Sequence, residues 1–189
     1  MRLFTFALAL VLSHVSIADW SLQQPSSIHF LTNKNTHFVE THSFNEFTGK
    51  INKSGNATLA IELSSVDTRI AIRDERMEKH LFEVSQFAQA TFEADIPTAV
   101  LEQVSAGTQT RYELTGKVSL HGEHAKTECQ VMISPNSDGT ITVTSITPMI
   151  IDAESFDLIA GINKSQEIAG LKSITRTVSV TSILTFKAD

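Results

Sequence analysis

Period-two alternation of apolar and polar residues runs through most of this chain. Ala57, Leu59, Ile61 and Leu63 fall on one face of an extended segment, with Thr58, Ala60, Glu62 and Ser64 on the other. Ala90, Phe92, Ala94 and Ile96 oppose Thr91, Glu93 and Asp95 until Pro97 stops the run. Tyr112, Leu114, Gly116, Val118 and Leu120 repeat the pattern, as do Cys129, Val131 and Ile133 and, near the C-terminus, Val178, Val180, Ser182, Leu184 and Phe186. Side chains alternate faces along a strand, so each run predicts a strand with one face in a core. Turn chemistry falls between the runs. Pro135-Asn136-Ser137-Asp138-Gly139 separates the Cys129 run from Ile141, Val143 and Ser145, and Asn52-Lys53-Ser54-Gly55 separates Phe47, Gly49 and Ile51 from the Leu59 run; both predict hairpins. With Ile28, Phe30 and Thr32, the Phe38 region and Met149 to Ile151, roughly eight to ten short strands are expected, the count of a sandwich or a barrel.

Two stretches break the rhythm. Asp74 to Phe87 places Met77, Leu81 and Val84 at helical spacing with Phe82 beside them, which predicts a short amphipathic helix capped by Asp74. Ile159 to Leu171 is bracketed by Gly161 and Gly170, and is expected to be a loop with one helical turn around Lys164 to Ala169. No linker, repeat or domain boundary interrupts residues 19–189, which are expected to form one domain.

The N-terminus changes the picture from a cytoplasmic to an exported chain. Arg2 precedes an apolar run from Leu3 to Leu12, and Ser16-Ile17-Ala18 supplies small residues before a cut that leaves Asp19 first. This predicts a signal peptide over residues 1–18 and a periplasmic destination. The run falls short of the about 20 residues that span a bilayer, so no integral membrane segment is expected after cleavage. The lone cysteine, Cys129, lies far from that cut and has no disulfide partner; its place in an alternating run reads as a small buried hydrophobe.

The formal net charge is −6, and the positive residues are scattered. No basic run follows a phosphate backbone or an anionic membrane surface, which disfavours nucleic acid and a polybasic membrane tether. No Gly-x-Ser-x-Gly elbow and no phosphate-binding glycine loop occurs. His121-Gly122-Glu123-His124 holds a suggestive spacing, but it falls in a turn without further converging ligands, so no metal site, cofactor or catalytic set is assigned. Phenylalanine stands out, with 11 residues against one Trp and one Tyr. Rings without polar handles suit either a filled core or the wall of a tunnel for an apolar ligand.

The junction at Ile70 to Asp74 adds a further signal. Ser64-Ser65-Val66-Asp67-Thr68 followed by Ile72-Arg73-Asp74-Glu75-Arg76-Met77 resembles a signature of the YceI-like family. The resemblance extends to Trp20-Ser21-Leu22 and Ser27-Ile28-His29-Phe30, to Phe87-Ala88-Gln89-Ala90-Thr91-Phe92, to Leu114-Thr115-Gly116-Lys117-Val118-Ser119-Leu120-His121-Gly122, and to Phe156-Asp157-Leu158 with Ile168-Ala169-Gly170-Leu171. Membership implies an all-β, lipocalin-like, eight-stranded antiparallel barrel with an internal pocket, periplasmic or secreted, binding polyisoprenoids or similar amphiphiles without a metal. Phe87-Ala88 stands where the family often carries Tyr-Pro, a change that reshapes the pocket mouth.

The expected function is carriage of a long apolar ligand of the polyprenyl or quinone type, without enzymatic activity. Phe30, Phe47, Leu81, Phe82, Phe87 and Phe92 are expected as wall residues, and Arg73 at the mouth beside the lipid head. The alternative is an interaction or stress-response module whose barrel is filled by its own side chains. Pairing of two barrels through an edge strand stays open.

Overall fold

The computed structural model describes residues 19–189; the expected signal peptide lies outside the described residues. Eleven strand segments form one antiparallel sheet: β1 (Trp20–Lys34), β2 (Phe38–Phe44), β3 (Phe47–Ile51), β4 (Asn56–Glu62), β5 (Val66–Asp67), β6 (Gln89–Asp95), β7 (Thr110–Leu120), β8 (Glu123–Pro135), β9 (Thr140–Ser145), β10 (Met149–Asp152) and β11 (Thr177–Ala188). β1 pairs with β11 from Trp20 opposite Ala188 to Leu31 opposite Ser179, which closes the sheet on itself. Three staves of the barrel are broken once. β3 lies along the start of β1 and β2 along its end; β10 and β9 share the edge of β11 in the same way; β5 continues β4 after a 3-10 turn at Leu63–Ser65 and pairs with β2. The result is the eight-stranded closed barrel that the resemblance implies, one of the two architectures that the alternation allows. Barrels of this size have interiors that side chains can fill or that hold one small ligand.

Both predicted hairpins form. In the β3–β4 turn the Gly55 amide donates to the Asn52 carbonyl (2.8 Å), and in the β8–β9 turn the Gly139 amide donates to the Asn136 carbonyl (3.2 Å).

Among the described residues, three α-helices close the ends. α2 (Thr98–Ser105) was not expected from the sequence. It begins directly after Pro97 and turns Leu101 and Val104 inward, against β7 and β8. With Trp20, Ile51, Ile133 and Ile141 these residues are buried in one cluster that fills the lower end of the barrel.

At the upper end lie α1 (Ala71–His80) and α3 (Ile159–Ala169). α1 begins three residues earlier and ends seven residues sooner than the spacing predicts. The Phe82 amide folds back to the Met77 carbonyl (2.9 Å), and Glu83 turns the chain in left-handed conformation (φ 50°). Leu81, Phe82 and Val84 are therefore apolar because they pack beneath the helix end. Asp74 does not cap its own helix; its carboxylate accepts the Thr68 amide at 2.9 Å and so anchors the approach to it.

α3 replaces the predicted loop with a full helix, ended by the left-handed Gly170 (φ 64°). Gly161 is no start signal. A β-carbon there would lie 2.5 Å from the His80 carbonyl oxygen and 2.7 Å from Leu81 Cα, so its bareness lets α3 cross α1 in contact.

Candidate ligand cavity

Between the filled lower end and the helical cap, the barrel encloses a cavity of about 240 Å³. Ligand pockets commonly run about 300–1,000 Å³, so this one suits a slender chain. Its walls come from the inward rows of the strands: Ile28 and Phe30 of β1, Leu59 and Ile61 of β4, Leu114 and Val118 of β7. Where inward positions are small, at Ala90, Cys129, Ser145 and Ser182, the interior stays open. The roof is Met77, Leu81 and Phe82 from the α1 end, with Leu158 and Ile162 from the start of α3. Phe30 stacks on Phe44 with ring centroids 5.3 Å apart, and Phe44 meets Phe82 at 6.0 Å. These contacts tie β1 and β2 to the cap.

Polar groups on the wall are largely occupied. The Ser182 amide donates to Ser145 Oγ at 3.0 Å, and the two hydroxyls lie 3.2 Å apart. At the upper end the Asn33 amide donates to Thr175 Oγ1 (3.2 Å) and the Thr175 amide returns to the Asn33 carbonyl (2.9 Å). Arg176 follows. Among the described residues it is the one charged and the one exposed residue on the lining, which marks the mouth. Burial pushes the Cys129 thiol up, away from the thiolate that a nucleophile needs.

A polar cluster backs the wall at this end. His42 is 3% exposed and its Nε2 hydrogen-bonds with Thr32 Oγ1 at 2.9 Å, while its ring lies 5.2 Å from that of Phe30. Glu40 is held by Lys34 and by Arg73 Nη1, the latter at 2.9 Å. Burial, joined by the nearby positive charges of Arg73, Lys34 and Arg69, holds His42 below the ordinary imidazole value despite the opposing pull of Glu40. For Glu40, burial works upward, but the hydrogen bond from Lys34 and the charges of Arg73 and Lys34 outweigh it and hold the carboxyl below its usual range.

Of the residues expected at the wall, Phe30, Leu81, Phe82 and Phe92 line the cavity. Phe47 does not. It stands half-buried at the start of β3, opposite Ile61, and packs against the core cluster that holds Trp20 and Ile51. Phe87 lies outside, its ring 4.4 Å from that of His121. Arg73 does not line the cavity either, being engaged with Glu40, and Arg176 occupies the mouth instead. The cavity is also lined by Ile162, inside the stretch that reads as a loop, and by Leu158 and Arg176, which flank it. The signal for Leu158 and Ile162 is their helical spacing, obscured by Gly161; Arg176 has none. His121 sits 3.8 Å from Glu83 Oε2, and among the described residues no three His, Cys, Asp or Glu side chains gather as metal ligands would.

A YceI-like domain model matches residues 20–186. Among solved structures, a polyisoprenoid binding domain from Saccharophagus degradans, implicated in plant cell wall breakdown, is 32% identical, with a TM-score of 0.85, over 90% of this chain and 98% of that one. BcnA of Burkholderia cenocepacia superposes with a TM-score of 0.66 at 18% identity, over 85% of this chain and 95% of its own. The YceI protein of Campylobacter jejuni gives a TM-score of 0.55 at 12% identity over 100% of both chains. At such identities these last two speak for the fold alone. Comparison with curated proteins finds no match. The barrel, its open apolar interior and a family match spanning nearly every described residue agree, and the chain belongs to the YceI-like domain family.

Proposed function

We propose that this protein is a periplasmic carrier or store for an isoprenoid lipid, of the polyprenyl or quinone type, held inside the barrel. The observation that carries the reading is the cavity itself: an apolar interior left open by small inward residues, with a single charged residue, Arg176, at its mouth. The Saccharophagus degradans domain named for polyisoprenoid binding, 32% identical over 98% of its length, supports the ligand class. The apolar leader expected over residues 1–18 supports export.

The mechanism is shielding. Moving a hydrocarbon tail from water is worth about 0.8 kcal/mol per CH₂ buried, so a few isoprene units exceed the cost of association. Phe30, Leu81, Phe82 and Phe92 hold the tail, Phe82 and Leu81 from the cap and the others from the barrel. Arg176 meets the head group. Phe47 stands beside Ile61 without lining the cavity, and Phe87 packs on His121. No bond need be made or broken, and the function is binding without catalysis.

The test is a chain-length series. Purified protein is titrated with isoprenols of increasing length, and thermal stability is followed. A ligand that binds only the folded state raises stability by about 2.7 kcal/mol at a hundredfold excess over Kd. Stabilisation is expected to grow with each added isoprene unit and then level off as the cavity fills. Equal, negligible shifts for every length would refute the reading in favour of a barrel that serves as an interaction module.

A further inference from the structure

The fold gathers at the cavity mouth what the sequence scatters. Three acid-free pentads carry cations and apolar side chains: Lys34-Asn35-Thr36-His37-Phe38, Arg69-Ile70-Ala71-Ile72-Arg73, and Lys172-Ser173-Ile174-Thr175-Arg176. They are remote in sequence and contiguous in space. Arg69 Nη2 donates to the Thr41 carbonyl at 3.0 Å and Arg73 Nη1 to Glu40 at 2.9 Å, which sets the second pentad on β2. The Lys172 amide donates to Asn35 Oδ1 at 2.7 Å and the Asn35 amide to the Ser173 carbonyl at 3.0 Å, which sets the third on the β1–β2 turn. Lys34 and Ile174 also form a bridge.

This end carries exposed apolar side chains. Phe38 is 66% exposed, Val39 62%, Ile72 52% and Ile70 45%. Phe38 continues the row of β2 that runs through Glu40, His42 and Phe44, and opposite it Lys34 continues the row of Thr32 and Phe30. Phe30, Thr32 and Phe44 line the cavity, so Phe38 stands on the barrel rim directly above it. Of the acids near the patch, Glu40 is engaged with Lys34 and Arg73, Asp67 with the Arg69 amide at 2.7 Å and Asp74 with the Thr68 amide, while Glu75 on α1 is exposed.

We propose that this rim is a docking surface for an anionic phospholipid bilayer, which sets the cavity mouth against the membrane. Exposed apolar side chains in one contiguous patch mark interaction sites. Cations interleaved with them, in a chain whose net charge is −6, select a negatively charged lipid face and not a neutral one. Each basic side chain near such a surface strengthens binding by roughly fivefold. The apolar rim residues enter the headgroup region as an amphipathic helix face does. A ligand leaving the bilayer at this point enters the cavity without crossing water.

The test is co-sedimentation of residues 19–189, which contain the whole barrel, with phosphatidylcholine vesicles and with phosphatidylcholine–phosphatidylglycerol vesicles. Binding is expected to the anionic vesicles only and to weaken with added salt. Phe38→Ser with Ile72→Ser is expected to lower vesicle affinity tenfold or more. Arg69→Gln with Lys172→Gln is expected to lower it by more than tenfold at low salt and by little at high salt. Neither pair lines the cavity, so isoprenol stabilisation of the variants in solution should match that of the wild type. Three results would overturn the proposal: no binding to anionic vesicles, equal binding to neutral ones, or binding that both variants retain. A dimer abolished by Phe38→Ser, with no vesicle binding, would assign the rim to a second copy. Isoprenol uptake retained without vesicle binding removes the docking surface and leaves the ligand reading in place; vesicle binding without uptake does the reverse.

Discussion

His42 shows how much a single side chain decides at the upper end of the barrel. It is buried, bonded to Thr32 on the cavity wall, and kept neutral by its surroundings and by Arg73 and Lys34. Because its folded value lies below the ordinary 6.5, the unfolded chain accepts a proton first. The stability it contributes is full above that value and declines as pH falls below it, until the folded form also protonates. Glu40, held below its ordinary 4.5, adds stability present above that value and lost as pH falls through its folded value. The urea midpoint should therefore fall in two windows on acidification, and His42→Gln should abolish the upper one while sparing the lower. An unchanged upper window in the variant would assign it to another histidine. None of this was legible in the sequence, where His42 is one of seven histidines. The inward phase of β2 puts it beside Thr32, and that register depends on the β1–β2 turn. The wall phenylalanines divide for a similar reason. Phe30 and Phe92 fall on inward rows that alternation reveals and line the cavity, whereas Phe47, although opposite the lining residue Ile61, packs against the core cluster.

The strands were legible because a half-buried strand must alternate, and each run named from the sequence holds a strand, with Leu63 and Ile96 falling just past the ends of β4 and β6. The helices were less so. α2 is eight residues long, too short for its spacing to stand out, and its apolar residues exist to plug the barrel. α3 was obscured by Gly161, whose reason is tertiary: close passage over His80 and Leu81. Gly161→Ala tests that passage. In a helix interior the change alone favours folding by up to about 1 kcal/mol. Here the new β-carbon meets backbone atoms that no side-chain rotation can relieve, and overpacking of this kind costs about 1–3 kcal/mol. A net loss of stability is expected, with a Tm lower by a few degrees, and Leu81 displaced at the cavity roof. A Tm equal to or above that of the wild type would mean that α3 can lift from α1 freely.

At the scale of the molecule, one end of the barrel is filled and the other roofed, and the space between is left for something else. Ser182 and Ser145 sit on the cavity wall where larger residues would close it. Ser182→Leu should fill part of that space and lower isoprenol affinity by tenfold or more, with the barrel intact by circular dichroism. Unchanged affinity would place the ligand elsewhere. The family and the barrel could be read from motifs in register along the chain, while the cavity could not, since it arises from the sizes of side chains that meet only after the sheet closes. The central claim is that this space holds a lipid. Native mass spectrometry of the protein purified from cells that produce it, followed by organic extraction, tests that claim most directly. A co-purifying mass identified as an isoprenoid lipid is the expected result. A clean mass of the protein alone, with no uptake when isoprenoids are added, would contradict it.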